Sequence, residues 1–184
     1  MKKWRIDMQA NDRVNGKLVL TIYRFGNWLY EDFKVPVFHW LLWWSYKILN
    51  LVIAKGFCSA DIPASTKIGA GLYLAHGGNG VVIHERSVIG ERVSILQQVT
   101  IGENSHHRTH PDVGPIIGSD VYIGAGAKVV GPIKVGDSAI IGANAVVLKD
   151  VPDIARAVGI PAHIIKSDKI IYTRHSPSVN LRKK

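Results

Sequence analysis

Two ladders of aliphatic residues, each stepping by six, constrain this chain more than any other feature. The first is Ile83, Ile89, Ile95 and Ile101; the second is Ile117, Ile123, Val129, Val135, Ile141 and Val147. Glycine directly follows six of the ten rungs: Gly90, Gly102, Gly118, Gly124, Gly136 and Gly142. An α-helix, at 3.6 residues per turn, would smear a strict period of six around its axis. An ordinary strand has period two and needs no glycine at fixed intervals. A chain that turns a corner after every short strand meets both demands. The rung points inward, and the small residue lets the backbone bend at the corner. Three flats close one coil, so coils recur about every 18 residues. The expected fold is a mainly β parallel β-helix turning on hexapeptides.

Two places break the register. Leu74 and Ile83 are nine residues apart, three more than the period, so a small loop is expected there, containing His76-Gly77-Gly78-Asn79-Gly80. Ile101 and Ile117 are 16 apart, four more than two periods, so a second loop is expected at Glu103–Pro115, with His106, His107, Arg108 and His110. Loops leaving a rigid scaffold are where binding and catalysis concentrate. The coils begin near Ser59, with Ile62, Ile68 and Leu74 as the first six-spaced set. Val151-Pro152 is expected to close them, with Gly159-Ile160-Pro161-Ala162 as a final turn.

Residues 1–57 lack the six-period and hold all five tryptophans. Leu18 to Phe33 reads as a helix, with Leu18, Ile22, Phe25 and Leu29 at helical spacing. Pro36 suits the first turn of a second helix, Val37 to Ala54. That run contains Trp40-Leu41-Leu42-Trp43-Trp44, but His39, Lys47 and Asn50 interrupt it, which argues against a span. Two readings stay open: packing against the β-helix and neighbouring subunits, or an aromatic face resting on a membrane surface. The division expected is 1–57 helical, 58–166 β-helix and 167–184 a basic tail. Lys166 to Lys184 carries six basic residues against one acid, within a net charge of +9. An acidic partner such as a phosphate, anionic lipid or polysaccharide would suit that excess. No nucleic-acid-binding motif is present. Cys58 is the only cysteine, so no internal disulfide can form. No signal peptide is visible, so the cytoplasm is the expected compartment, with the inner face of the cell membrane open as a peripheral site.

His76 is the leading candidate for chemistry. A neutral imidazole near pH 7 can take a proton from a hydroxyl. It needs a partner that fixes its tautomer and supports the imidazolium. Asp61 lies 15 residues earlier, close to one coil, so the chain returns to the same edge. The group His106, His107, Arg108 and His110 could hold a metal, but no carboxylate or cysteine stands at a recognisable ligand spacing. It could equally line an acceptor cleft. Ala125 and Ala143 are 18 residues apart, as are Gly124 and Gly142. Small side chains on successive coils would leave a smooth channel with exposed backbone amides, where a long amide-rich molecule could lie. Tight corners alone would require the same small residues. Lys128, Lys149 and Lys166 could meet phosphates at the channel's ends.

From Ser59 to about Lys166 the chain resembles the hexapeptide acyltransferases and, within them, the serine acetyltransferase group. The carrying pieces are Asp61-Ile62; Lys67-Ile68-Gly69; His76 followed by Gly80-Val81-Val82-Ile83; Glu85; the run Val93-Ser94-Ile95-Leu96-Gln97-Gln98-Val99-Thr100-Ile101-Gly102; Arg108-Thr109-His110-Pro111; Ile123-Gly124-Ala125-Gly126-Ala127-Lys128; and Gly159-Ile160-Pro161-Ala162. The resemblance implies a left-handed β-helix, an exception to the usual right-handed crossover. It implies a homotrimer, with acetyl-CoA in clefts between subunits and no metal. His76 falls on the family's catalytic histidine and Asp61 on its paired aspartate. His110 falls on the second active-site histidine and Arg108 lies near its arginine; Glu85 joins them on the acceptor side. Ala125 and Ala143 fall on positions touching the CoA arm, with Gly102, Lys128 and Lys166 expected beside it.

The departures bear on the acceptor. Only 57 residues precede the coils, where the family's enzymes carry a longer helical domain. The acid expected just before the histidine is Ala75, and the histidine expected after the Asp-Ile pair is Pro63. The loop after His76 is one residue longer, and Lys184 stands where many of these enzymes end in isoleucine. A short chain with a Trp-rich start is more similar to the capsular and exopolysaccharide acetyltransferases of this group. The expected activity is therefore acetyl-CoA-dependent O-acetylation of a glycan hydroxyl in surface polysaccharide biosynthesis, with serine as the alternative acceptor. Direct attack on the thioester is expected, since Cys58 lies outside the histidine loop. Trimers could pair further through residues 1–57.

Overall fold

The computed structural model describes residues 2–33, 35–103 and 114–166. Helices α1 (Lys2–Ala10), α2 (Val14–Glu31) and α3 (Pro36–Leu49) come first, and α3 runs on into a π-helical stretch, Asn50–Phe57. Fourteen short strands follow among the described residues.

The first twelve strands cycle through three flats in strict rotation. The first flat holds β1 (Lys67–Ile68), β4 (Val88–Ile89), β7 (Ile116–Ile117) and β10 (Lys134–Val135). The second holds β2 (Tyr73–Leu74), β5 (Ser94–Ile95), β8 (Tyr122–Ile123), β11 (Ile140–Ile141), β13 (Arg156–Val158) and β14 (His163–Ile165). The third holds β3 (Val82–Ile83), β6 (Thr100–Gly102), β9 (Lys128–Val130) and β12 (Val146–Val147). All pairings are parallel except β13 with β14. The result is a left-handed parallel β-helix. Register puts rung on rung: Ile68 on Ile89, Ile117 and Val135; Leu74 on Ile95, Ile123 and Ile141; Ile83 on Ile101, Val129 and Val147. These rungs are buried. Each full burial is worth about 1.5–3 kcal/mol, and the columns are the core of the prism.

The glycines after the rungs work differently from the expectation. None of Gly90, Gly118, Gly124 or Gly136 has a left-handed φ. What they supply is close approach between coils. A Cβ on Gly90 would sit 2.6 Å from the carbonyl carbon of Gly118, and one on Gly124 would sit 2.6 Å from Ala143 N. The bend falls later in each corner, at residues of positive φ such as Arg92, Asp120 and Ser138.

The open end of the first coil is capped by side chains from the helices. Asp7, fully buried, accepts from Gly71 N (2.7 Å) and Leu72 N (3.2 Å) and pairs with Arg24 Nε at 2.7 Å. Asn11 accepts from Leu74 N at 2.9 Å and donates to Leu72 O at 2.7 Å. Arg24 also donates to Ile68 O and Gly69 O, Tyr23 Oη to Thr66 O, and Asn27 to Ala64 O. A solenoid's first coil has no neighbour on one side, and its unpaired amides must find partners. Asp7 of helix α1 and Asn11, just past its end and one turn on, supply them. Val19, Leu20 and Tyr23 of α2 plug the same end of the core.

Three expectations need correction. The helix expected at Leu18 to Phe33 begins four residues earlier and ends at Glu31, and Leu18 is partly exposed. Coiling does not stop at Pro152: Val151 still bridges Val135 and β13 pairs with β11, after which β14 turns back antiparallel. The loop after Leu74 does not stand free, because Gly77 packs so closely under Asn15 and Gly16 that a Cβ would meet Asn15 Cβ at 2.5 Å.

Candidate functional site

The corner between the second and third flats carries the candidate site. Its floors are residues 75–81, 96–99, 124–127 and 142–145 in successive coils. Backbone bonds lock them in a column: Gln98 N to Asn79 O (2.8 Å), Gly126 N to Gln97 O (2.9 Å) and Asn144 N to Ala125 O (2.8 Å). A residue of left-handed φ marks each floor: His76 (51°), Gln98 (61°), Gly126 (70°) and Asn144 (56°). For histidine this conformation is uncommon, and such residues cluster at functional sites. His76 sits in a short 3-10 turn, Ala75–Gly78, with its side chain exposed. The helical cover from Asn15 and Gly16 holds the turn, and the buried Gly77 and Gly78 leave the histidine as its outermost part.

Ala125 and Ala143 lie on this same edge, half-buried and exposed respectively. With coils about 4.8 Å apart, Ala143 is about 14 Å from the level of His76. Lys128 begins the neighbouring strand and donates from Nζ to Gln98 O at 2.8 Å. The base, two small side chains and one lysine thus share one edge. Gln97, on the floor between His76 and Ala125, has its Oε1 buried without a partner. An orphaned buried acceptor is rare in folded chains. The run Gln97-Gln98 was visible in sequence, but no periodicity distinguishes it; burial does.

Asp61 opens the third flat, bridging to Val82 one coil above. Its carboxylate does not meet His76 among the described hydrogen bonds. It pairs with Lys55, whose Nζ lies 2.9 Å from one oxygen and 3.0 Å from the other. Sequence inspection missed Lys55 because it belongs to the π-helical stretch outside the six-period. Cys58 is buried against Asn15 O at 4.0 Å, and burial pushes its thiol pKa up. A protonated, enclosed thiol is a poor nucleophile.

Glu85 lies elsewhere, on the corner between the third and first flats. It lines a cleft with Tyr30, Glu31, Ser65, Lys67 and Arg86. Gly102 ends β6 on the approach to that corner, where His84 Nε2 stands 3.4 Å from Glu103 Oε2. The third flat therefore separates Glu85 from His76 within one chain. Lys166 follows β14 and is exposed at the far side of the second flat, away from Ala125 and Ala143. Arg108 and His110, with His106 and His107, lie outside the described residues. No group of three His, Cys, Asp or Glu suited to a metal occurs among the described residues.

Comparison with known proteins agrees with the β-helical fold. The family described as bacterial transferase hexapeptide (six repeats) matches residues 114–149. A serine acetyltransferase of Staphylococcus aureus (strain Mu50 / ATCC 700699) is 46% identical over 120 residues, 64% of this chain and 54% of that protein. The chain thus spans about half the length of the curated relatives it matches. The solved apoenzyme of soybean serine acetyltransferase superposes with a TM-score of 0.74 at 34% identity, covering 89% of this chain and 68% of the other. A serine acetyltransferase solved in complex with CoA superposes with a TM-score of 0.68 at 37% identity, over 83% of this chain and 58% of the other.

Proposed function

Since the chain belongs to the hexapeptide-repeat acyltransferases, in their serine acetyltransferase group, we propose that it moves an acetyl group from acetyl-CoA to the hydroxyl of serine. The observation that carries this reading is the shared edge: His76 stands in line with Ala125 and Ala143 on one corner of the prism. The relatives' names favour serine over the sugar hydroxyl to which the short, Trp-rich chain pointed.

His76 takes the proton from the acceptor hydroxyl, and the freed oxygen attacks the thioester carbonyl carbon. The carbon–sulfur bond then breaks, and the imidazolium returns its proton to the departing thiolate. Cys58, enclosed and protonated, forms no acyl-enzyme. Asp61 would support the positive charge on His76 by turning from Lys55, which holds its carboxylate in this structure. Ala125 and Ala143 leave room for the pantetheine arm, and Lys128 offers a cation nearby. The separation of Glu85 from His76 within one chain supports a trimer in which one copy's third corner completes its neighbour's site.

A sugar hydroxyl remains the second reading, favoured by Ala75. This buried apolar residue stands beside His76 where the group carries an acid that helps hold the amino acid. One assay separates the two: purified chain with acetyl-CoA and either free serine or activated and lipid-linked sugars, following thiol release. Serine-dependent release supports the proposal, and release with sugars alone moves the acceptor to a glycan. His76→Ala should lose about 10²–10⁴-fold in turnover while still binding acetyl-CoA. Retained turnover would remove His76 from the mechanism.

A further inference from the structure

Helix α3 and its π-helical continuation are apolar on both sides. The inner side packs on α2 through Leu42, Trp43, Tyr46, Ile53 and Ala54. A ladder of rings, Trp28–Phe33–His39–Trp43–Tyr46, with neighbouring centroids 4.9–6.5 Å apart, pins it there. The outer side should be polar if water covered it. Instead it presents Trp40 (65% exposed), Leu41 (61%), Trp44 (50%), Ile48 (59%), Leu51 (66%) and Val52 (60%). At helical spacing these form one continuous stripe, not scattered singles. Ser45, Lys47, Asn50 and Lys55 flank it, and Lys47 Nζ lies 5.4 Å over the Trp44 ring.

Charge decides what covers the stripe. From Phe33 to Ala60 there is no Asp or Glu, while Lys34, Lys47 and Lys55 are present, and of these Lys55 is paired with Asp61 just beyond the segment. A second copy docking through the same face would bring lysines of one segment near lysines of the other with no acid in the segment to neutralise them. The basic segment 166–184 has the same sign. A bilayer surface with anionic headgroups matches both parts: aliphatic side chains and indoles enter the acyl boundary, and lysines remain at headgroup level. No helix among the described residues is long and apolar enough to cross a membrane, so the contact is in the plane of the surface. We propose that the outer face of α3 and the Asn50–Phe57 stretch docks on an anionic lipid surface. This does not depend on the acceptor assigned above.

The test uses the full chain and vesicles of phosphatidylcholine with or without phosphatidylglycerol. The wild-type chain should float with the phosphatidylglycerol vesicles, less so at high salt. Lipids brominated on the acyl chain should quench its tryptophan emission. Trp40→Glu/Trp44→Glu should lower the bound fraction about tenfold or more, with the circular dichroism spectrum and assembly size unchanged. Should that variant not fold, the wild-type quenching decides alone. Absence of vesicle binding by folded wild-type chain overturns the proposal. So does a folded double variant that binds as well as wild type. A double variant that drops to a smaller assembly, with no quenching in the wild type, gives the face to a second copy.

Discussion

Lys55 Nζ lies 2.9 Å from one oxygen of Asp61 and 3.0 Å from the other, so the carboxylate assigned to His76 is held by the end of the helical segment. Both side chains are more than a third exposed, which limits the pair to about 0.2–1 kcal/mol. The lysine competes for the charge that would support an imidazolium. Lys55→Met should therefore raise turnover by about two- to five-fold with acetyl-CoA affinity unchanged. Steady-state kinetics checks this, and unchanged or lower turnover would detach Lys55 from the site.

Ala143 is exposed in the proposed groove, and its backbone is pressed against Gly124. Ala143→Trp should fill the groove without touching the core, because the side chain points to solvent. The KM for acetyl-CoA should rise about tenfold or more, while that for the acceptor stays near its original value. Equal changes in both would place the acetyl donor elsewhere.

Asp7 and Arg24 form a buried ion pair that also binds the first coil's backbone. Removing one partner strands the other charge and two amides. Asp7→Ala should cost about 3–5 kcal/mol in urea unfolding. Adding Arg24→Met should restore part of the loss. A negligible effect of Asp7→Ala would show that the helices do not cap the coils in solution.

Burial pushes the Tyr23 phenol up to about 12, and its hydroxyl donates to Thr66 O at 2.6 Å. The unfolded chain loses this proton near pH 10. Between pH 10 and 12 the folded chain holds more protons, so stability falls as pH rises, by roughly 2–3 kcal/mol across the window. Below pH 10 this contribution is fully present. Thermal melts of wild type and Tyr23→Phe should converge as pH climbs from 10 to 12. Parallel curves would mean that Tyr23 is not the group responsible.

The β-helix was legible because every rung obeys one rule. Ile83, Ile89 and Ile95 face inward wherever the corners fall, so a local pattern suffices. The reason for the glycines was not legible: Gly90 and Gly124 are required by backbone one coil away, a contact no local pattern encodes. The cap was equally hidden. No pattern in the sequence singles out Asp7 or Asn11, and only the unpaired amides of Gly71, Leu72 and Leu74 give them work.

Sequence alone determined the prism, the histidine loop and the column of small residues, since each follows from spacing along one repeating coil. Tertiary structure decided that His76, Gln97, Ala125 and Ala143 share an edge while Glu85 occupies another, that Asp61 answers to Lys55, and that α3 keeps an apolar face outward. Those relations depend on how distant segments meet, and a period of six carries no information about the helices packed against it.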